Sequence, residues 1–305
     1  GSGLWDLTKS MTFDGNGHTI SGYGSRSGNK TTLAINNSGS SVIDVTLKNI
    51  IITSSVAGGR LVETRGKLNS LILDNVVLNA TGSGANQPLT IGGSQSSLAK
   101  VSILNSTISS GNSGYAVLTF NPVDMCVNSS TITGWCCFYF KGNQSSAGSS
   151  KSKVEIKNSS IESFNQFNSH SNDFATFVFA DGNISVDIYD SLLSTTSVGQ
   201  DSKNDIFDFN LSDSRSLGGS VPSSYEKTTI NIYGNSKVKF NGTSEFLVGI
   251  NTDQTSIQYK NDNKVDVNCY SGYYTYDVGE YLGEGSIISQ STEIPGYNFV
   301  ITPEE

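Results

Sequence analysis

One short pattern recurs along the chain and limits what it can fold into more than any other feature: apolar, any, apolar, any, Asn, small, any, apolar. It reads Val45-Thr-Leu47-Lys-Asn49 with Ile52, and Leu71-Ile-Leu73-Asp-Asn75 with Leu78. Val101-Ser-Ile103-Leu-Asn105 leads to Ile108, Val154-Glu-Ile156-Lys-Asn158 to Ile161, and Val186-Asp-Ile188-Tyr-Asp190 to Leu193. Met125-Cys-Val127 leads to Ile132 with Ser129 at the corner. Ile230-Asn-Ile232 and Ile257-Gln-Tyr259 continue the series, with an extra residue before Val238 and Val265. The corner positions are 49, 75, 105, 129, 158, 190, 234 and 261.

Alternation with period two means strand rather than helix. These strands are short, and the corner residue reverses which parity faces inward. A second apolar patch follows most of them: Leu33–Ile35, Leu89–Ile91, Ala116–Phe120, Phe138–Phe140, Phe174–Phe179, Ile206–Phe209 and Phe246–Ile250. No capped segment of helical period is long enough to build strand–helix–strand units. The reading is an all-β chain wound as a coil of strands, each turn bonded to the next through parallel sheets. One turn cannot bury its apolar face alone, so the turns must stack. Eight or nine turns at ~4.8 Å give a rod of about 40 Å plus caps. A β-sandwich also uses short alternating strands, but it leaves the repeated corner residue unexplained. Asn suits the corner because it tolerates left-handed backbone geometry. Its amide is expected inside the coil at Asn105 and Asn158, satisfying polar groups that a tight corner strands.

Of 305 residues, 15% are charged, while 50 are Ser and 29 are Asn; the net charge is −8. Hydrophobic residues make up 35%, enough for a core. An acidic chain without basic clusters is a poor nucleic-acid binder, and no apolar run nears the ~18 residues of a membrane span. Cys126, Cys136, Cys137 and Cys269 form no CxxC pair, and only His18 and His170 could assist them. Buried or idle thiols are expected, not a zinc site, and no cofactor. The sequence does not settle whether the thiols pair. His170 reads as a polar-loop histidine. Arg60, Arg65 and Lys67 are the only local basic cluster, and with Glu63 among them they read as a solvated loop. The Asn-x-Ser/Thr triplets at Asn79, Asn105, Asn158 and Asn241 reflect composition more than glycosylation.

Two outward columns could carry function. Glu155 and Asp187 occupy the same outward position in successive turns and should lie ~5 Å apart if the rungs align. With Asp190 they are the best carboxylate cluster, able to bind a cation or to work as acid and base. The plain alternative is solvated side chains beside Lys157. The next column, just before the corner, reads Lys48, Asp74, Leu104, Asn128, Lys157, Tyr189, Tyr233, Lys260. Its later half, Lys-Tyr-Tyr-Lys, would offer aromatic surface to the C–H faces of sugar rings and cations to uronic acid carboxylates. The rung spacing is close to the length of one sugar unit, so a glycan chain could run along the rod. The alternatives are tyrosines that merely favour exposed sheet, and a Tyr233 displaced by the long insertion before it. A second cluster, Tyr270, Tyr273, Tyr274, Tyr276 and Tyr281, reads as a cap over the open end, with a ligand platform as the alternative.

Phe13-Asp-Gly-Asn-Gly-His-Thr-Ile-Ser-Gly22, followed by the Val-x-Ile-x-Asn repeats, resembles the opening of right-handed parallel β-helices of the pectin-lyase-like superfamily. The resemblance runs from about residue 10 to 270 and implies a right-handed parallel β-helix. That superfamily holds lyases, hydrolases, tailspikes and non-catalytic adhesins. Within it, the Ser- and Asn-rich, charge-poor texture resembles the binding region of serine-rich-repeat adhesins of gut lactobacilli. That implies a wall-displayed module binding pectin-like acidic polysaccharide or host mucin glycans. The superfamily's hydrolases carry Asn-Thr-Asp-Gly, an Asp-Asp pair, Gly-His-Gly and Arg-x-Lys. Here Asn251-Thr-Asp253 is followed by Gln254, His18 precedes Thr19, and the other two motifs are missing. Its lyases need calcium-binding carboxylates and an arginine base, and only Arg26, Arg60, Arg65 and Arg215 exist.

The resulting expectation is one solenoid domain: residues 1–10 as cloning remnant and N-terminal cap, 11–268 as repeats, 269–305 as C-terminal cap. No signal peptide is evident, and Gly1-Ser2-Gly3 marks the chain as an excised piece. Its role would be non-catalytic polysaccharide binding at a bacterial cell surface, as a monomer, through Lys157, Tyr189, Tyr233 and Lys260, with Glu155, Asp187 and Asp190 sensing pH. Binding to a polyanion should strengthen as pH falls from 7 toward 4. The alternatives are a secreted lyase or hydrolase of the same fold, and a plain structural stalk.

Overall fold

The computed structural model describes residues 5–26, 29–37, 39–92, 98–111, 114–142, 151–165, 175–197, 205–213, 221, 225–240 and 247–304. Gly1 to Gly3, Phe174, Phe246, His170, Arg215 and Asn241 lie outside the described residues.

The repeats form a parallel β-solenoid. Its first sheet stacks Met11–Asp14, the first halves of Ile43–Ser54 and Leu68–Ala80, Ala99–Leu104, Val123–Asn128, Ser152–Lys157, Ile184–Tyr189, Thr228–Tyr233 and Val265–Cys269. These define nine rungs, numbered in that order. Past the corner, the second sheet runs from Thr19–Ser21 to Gly272–Tyr274 in matching register. A third sheet contains the second apolar patches, from Trp5–Leu7 through Cys136–Phe140 and Phe207–Phe209 to Val248–Ile250.

Alternation along the first sheet drives columns of apolar side chains into the coil. Val45, Leu71, Val101, Met125, Val154, Val186, Ile230 and Val267 form one; Leu47 to Cys269 form the next. The third sheet adds phenylalanines stacked rung on rung. Phe138, Phe177 and Phe207 have centroids 5.0 and 5.2 Å apart, and Phe140, Phe179 and Phe209 are 5.5 and 4.9 Å apart. Each fully buried side chain of this size contributes ~1.5–3 kcal/mol of transfer free energy. The third sheet is also covered on its outer face, where Leu118, Tyr139 and Val178 are buried. At the C-terminal end, Ser286–Gln290 and Phe299–Pro303 form an antiparallel pair, and the latter strand lies antiparallel to Gly272–Tyr274, ending the parallel stack.

The corner residues are left-handed as expected. Asn49, Asn75, Asn105, Ser129, Asn158 and Asp190 have φ between 48° and 55°, and Gly234 has φ 67°. The asparagine amides, however, face outward; Asn105 and Asn158 are exposed. They link rungs on the surface, Asn75 Nδ2 donating to Asn49 Oδ1 (2.9 Å) and Asn105 Nδ2 to Asp74 Oδ1 (3.0 Å). The buried ladder belongs to the following residue. Ser106, Ser130, Ser159, Ser191 and Ser236 are buried. Each hydroxyl donates to the carbonyl two or three residues back, at 2.6–2.8 Å. Each also accepts the backbone N–H of the rung before, from Val76, Ser106, Ser130, Ser159 and Ser191, at 3.0–3.3 Å. Turning through a left-handed residue points that residue's side chain out and the next one in. The small residue of the motif therefore satisfies the corner.

Two other expectations are corrected. Ile257-Gln-Tyr259 is not a strand but part of the helix Gln254–Asn261, capped by Asp253, whose Oδ1 accepts from the N–H groups of Thr255 and Ser256 (both 2.9 Å). This side-chain cap satisfies the first turn's donors, and Tyr259 is buried with its hydroxyl 2.9 Å from Thr228 Oγ1. Glu63 does not sit in a solvated loop. It is buried in the strand Arg60–Thr64, paired with Arg60 and Arg65 (2.8 Å) and accepting from Thr31 Oγ1 (2.6 Å). A buried carboxylate needs such pairing, which takes both arginines. The four thiols are free; Cys136, Cys137 and Cys269 are buried and Cys126 is half-buried.

Candidate functional site

The outward column before the corner aligns across every rung. Lys48 faces Asp74, then Leu104, Asn128, Lys157, Tyr189 and Tyr233. The 43 residues between Asp190 and Gly234 leave the register unbroken, since Tyr189 pairs with Tyr233. The column ends differently from the expected Lys260, which is exposed on the helix. The ninth rung is Val265–Cys269, and its next residue, Tyr270, completes the column. Ile257-Gln-Tyr259 mimics the repeat in sequence, which places Tyr270 past the last rung. The Val265-Asp-Val267-Asn-Cys269 alternation was the signal that could have found it. Of the other cap tyrosines, Tyr274 points into the core, and Tyr273 stands outward beside Lys237 on the second sheet.

Tyr189, Tyr233 and Tyr270 form a continuous half-exposed ladder. Centroids of Tyr189 and Tyr233 are 4.8 Å apart with planes 12° from parallel; those of Tyr233 and Tyr270 are 4.9 Å apart and 4° from parallel. Rings in van der Waals contact lie ~3.5 Å apart. A 4.8 Å centroid separation therefore slides each ring about 3.3 Å past its neighbour, the offset arrangement that ring quadrupoles favour. The rings overlap like roof tiles, leaving part of each face and all the outer edges uncovered by their neighbours. One end is closed by the Lys157 ammonium, 5.1 Å from the Tyr189 centroid, a cation–π contact. The other end is closed by Gly283, whose backbone lies so close to the Tyr270 ring that a Cβ would overlap it.

The neighbouring outward column is polar: Cys126, Glu155, Asp187, Asn231 and Asn268 in register. Glu155 and Asp187 are adjacent, as expected, but each carboxylate has its own partner. Lys157 Nζ lies 3.0 Å from Glu155 Oε2, and Asn231 Nδ2 donates to Asp187 Oδ1 at 2.8 Å. Asn268 Nδ2 donates to Asn231 Oδ1 at 3.2 Å. Asp190 does not join them. It is the corner residue of its rung, and its Oδ1 accepts the Asn235 N–H at 2.8 Å. Among the described residues, no group of three or more His, Cys, Asp or Glu side chains is placed to hold a metal ion. The hydrogen bond from Lys157 to Glu155 pushes the lysine pKa up. Partial burial, then the nearby Asp187, raises the phenols of Tyr189 and Tyr233. The ladder is thus a neutral aromatic strip beside a hydrogen-bonded amide and carboxylate strip.

No family model, curated protein or solved structure matches this chain.

Proposed function

We propose that this protein is a non-catalytic binding module that holds an extended polysaccharide along the first sheet. The observation that carries the reading is the tiled column Tyr189–Tyr233–Tyr270, which repeats every 4.8–4.9 Å and has Lys157 at its end. Uncovered ring surface suits the C–H patches of successive sugars. The amide and carboxylate column beside it suits their hydroxyls, and Lys157 suits a uronate. The individual pairing of Glu155 and Asp187 favours binding over acid–base chemistry, because each carboxylate is already engaged, by Lys157 and by Asn231. The ligand class is acidic pectin-like polysaccharide or mucin-type glycan, and the setting a bacterial cell surface; both rest on the resemblance of the Ser- and Asn-rich, charge-poor texture to that of wall-displayed adhesins. Acidification should strengthen binding to a polyanion, since it reduces the net charge of −8 that the chain carries at pH 7.

The test is a glycan array with the purified protein, with and without Ca²⁺, beside incubation with polygalacturonate. The reading expects saturable binding independent of Ca²⁺, no ultraviolet-absorbing unsaturated product and no new reducing ends. Turnover abolished by Glu155→Gln or Asp187→Asn would make the protein a lyase or hydrolase instead. The absence of binding to any glycan would leave a stalk.

A further inference from the structure

Around the corner from the tyrosine ladder, on rungs five to eight, the surface dips into a shallow, open depression of about 540 Å³. Small-ligand sites span ~300–1,000 Å³, so this one has room for a short branch of sugar and not for a long chain. Its lining follows from the repeat. One wall is a column on the second sheet, Thr131, Ser160, Leu192 and Lys237, aligned rung on rung. It presents two hydroxyls, one apolar surface and one ammonium. The other wall is the corner itself, with Asn158 and Asp190 exposed. The buried serines at its base are occupied by the ladder that stabilises the corner.

The cation at the end of the ladder and the cation in the depression differ. Lys157 is held by Glu155 at 3.0 Å, whereas Lys237 forms no ion pair among the described residues. Asp190, the one carboxylate in the lining, is tied to the Asn235 N–H at 2.8 Å. The depression thus combines neutral hydrogen-bonding groups, a single apolar contact, one carboxylate tied to a backbone N–H and a cation with no ion pair among the described residues. That combination matches a sugar bearing a carboxylate. Hydroxyls would meet Thr131, Ser160 and Asn158, a C–H face would meet Leu192, and the carboxylate would meet Lys237. Lys157 and Asn158, like Tyr189 and Asp190, are chain neighbours on shared rungs. A chain lying on the tyrosines would therefore pass beside the rim.

We propose that this corner depression is a second carbohydrate subsite, one that accepts a single uronic acid carried as a branch on the chain held by the tyrosine ladder. This inference rests on the proposed polysaccharide binding. The test is an array carrying linear neutral, linear uronate and uronate-branched oligosaccharides, read with wild type, Lys237→Gln, Lys237→Arg and Tyr233→Ala, each checked for an unchanged circular dichroism spectrum. A charge-assisted contact to the branch should make branched forms bind about tenfold tighter than their linear parents. Lys237→Gln should remove that advantage and leave linear binding unchanged, Lys237→Arg should keep most of it, and Tyr233→Ala should weaken both forms. Equal wild-type affinity for branched and linear forms, or equal loss of both in Lys237→Gln, would overturn the subsite while polysaccharide binding stands. No binding to any oligosaccharide would overturn both.

Discussion

Replacing Ser159 with alanine should cost more stability than replacing its neighbour Asn158 with glycine. Ser159 is buried; its Oγ accepts the Ser130 N–H at 3.1 Å and donates to the Lys157 carbonyl at 2.7 Å. Removing the hydroxyl strands the Ser130 N–H at a corner closed by the rungs above and below, while the Lys157 carbonyl keeps the Ser129 N–H at 3.1 Å. Leaving such a group unsatisfied costs ~1–3 kcal/mol. For a chain of this length that corresponds to a fall of roughly 2–5 °C in midpoint. Asn158 is exposed with φ 49°, and its amide makes only a long 3.4 Å contact to Asn128 Oδ1. Glycine adopts that backbone without strain, so Asn158→Gly should cost less than about 1 kcal/mol. Asn158→Leu, by contrast, forces a bulky side chain into the left-handed region and should cost ~1–2 kcal/mol. Paired chemical denaturation curves at fixed pH measure all three. If Asn158→Gly were as damaging as Ser159→Ala, the corner would be held by asparagine amides after all, and the serine account would be wrong.

Alkaline pH should unfold the protein through its phenols. Burial raises the phenols of Tyr189, Tyr233, Tyr259 and Tyr274, and pushes the Cys269 thiol up to about 12. A raised folded-state pKa gives stability that is complete below the unfolded value near 10 and is lost as pH rises through the folded value. Stability should therefore hold to about pH 9–10 and fall above it; phenols that all titrate at the free value, with stability unchanged, would contradict this. Thiol reagents at pH 8 should leave Cys136, Cys137 and Cys269 unmodified until the chain unfolds, with Cys126 reacting slowly because burial and then Glu155 raise its pKa; rapid labelling of all four in the native state would contradict the packing. Gly283→Ala should push the Tyr270 ring out of the ladder and change the near-ultraviolet circular dichroism, because its Cβ would overlap that ring; an unchanged spectrum would show that the ladder ends elsewhere.

The coil of stacked strands and its parallel sheets were legible because they follow from period and corner. Alternation placed Val154, Ile156 and Ile161 inside and Glu155, Lys157 and Tyr189 outside, and the structure agrees. Two things were not legible. The side chain that enters the corner depends on the backbone reversal, so the motif showed Asn most plainly while the ladder fell to the small residue after it. The end of the aromatic column depended on a local contest. Ile257 and Tyr259 alternate like a strand, but the Asp253 cap, which also accepts from Ser256 Oγ at 2.5 Å, and the burial of Tyr259 favour one short helix. The column moved on to Tyr270 as a result, and Lys260 dropped out. Glu63 shows the same limit: nothing local in Arg-Leu-Val-Glu-Thr-Arg reveals that Thr31, one rung away, completes its pairing.

The central claim is that the tyrosine tiles bind a glycan chain, and Tyr233 is the tile flanked by a ring on each side. Titration calorimetry of wild type and Tyr233→Ala against oligogalacturonides of increasing length and mucin-type glycans, at pH 7 and 4.5, addresses it directly. The account predicts saturable wild-type binding that tightens with chain length up to about four units, matching the ladder at one sugar per ~4.8 Å rung. It also predicts at least a tenfold loss in a Tyr233→Ala protein that remains folded. Binding by Tyr233→Ala equal to wild type, or no length dependence at all, would contradict it.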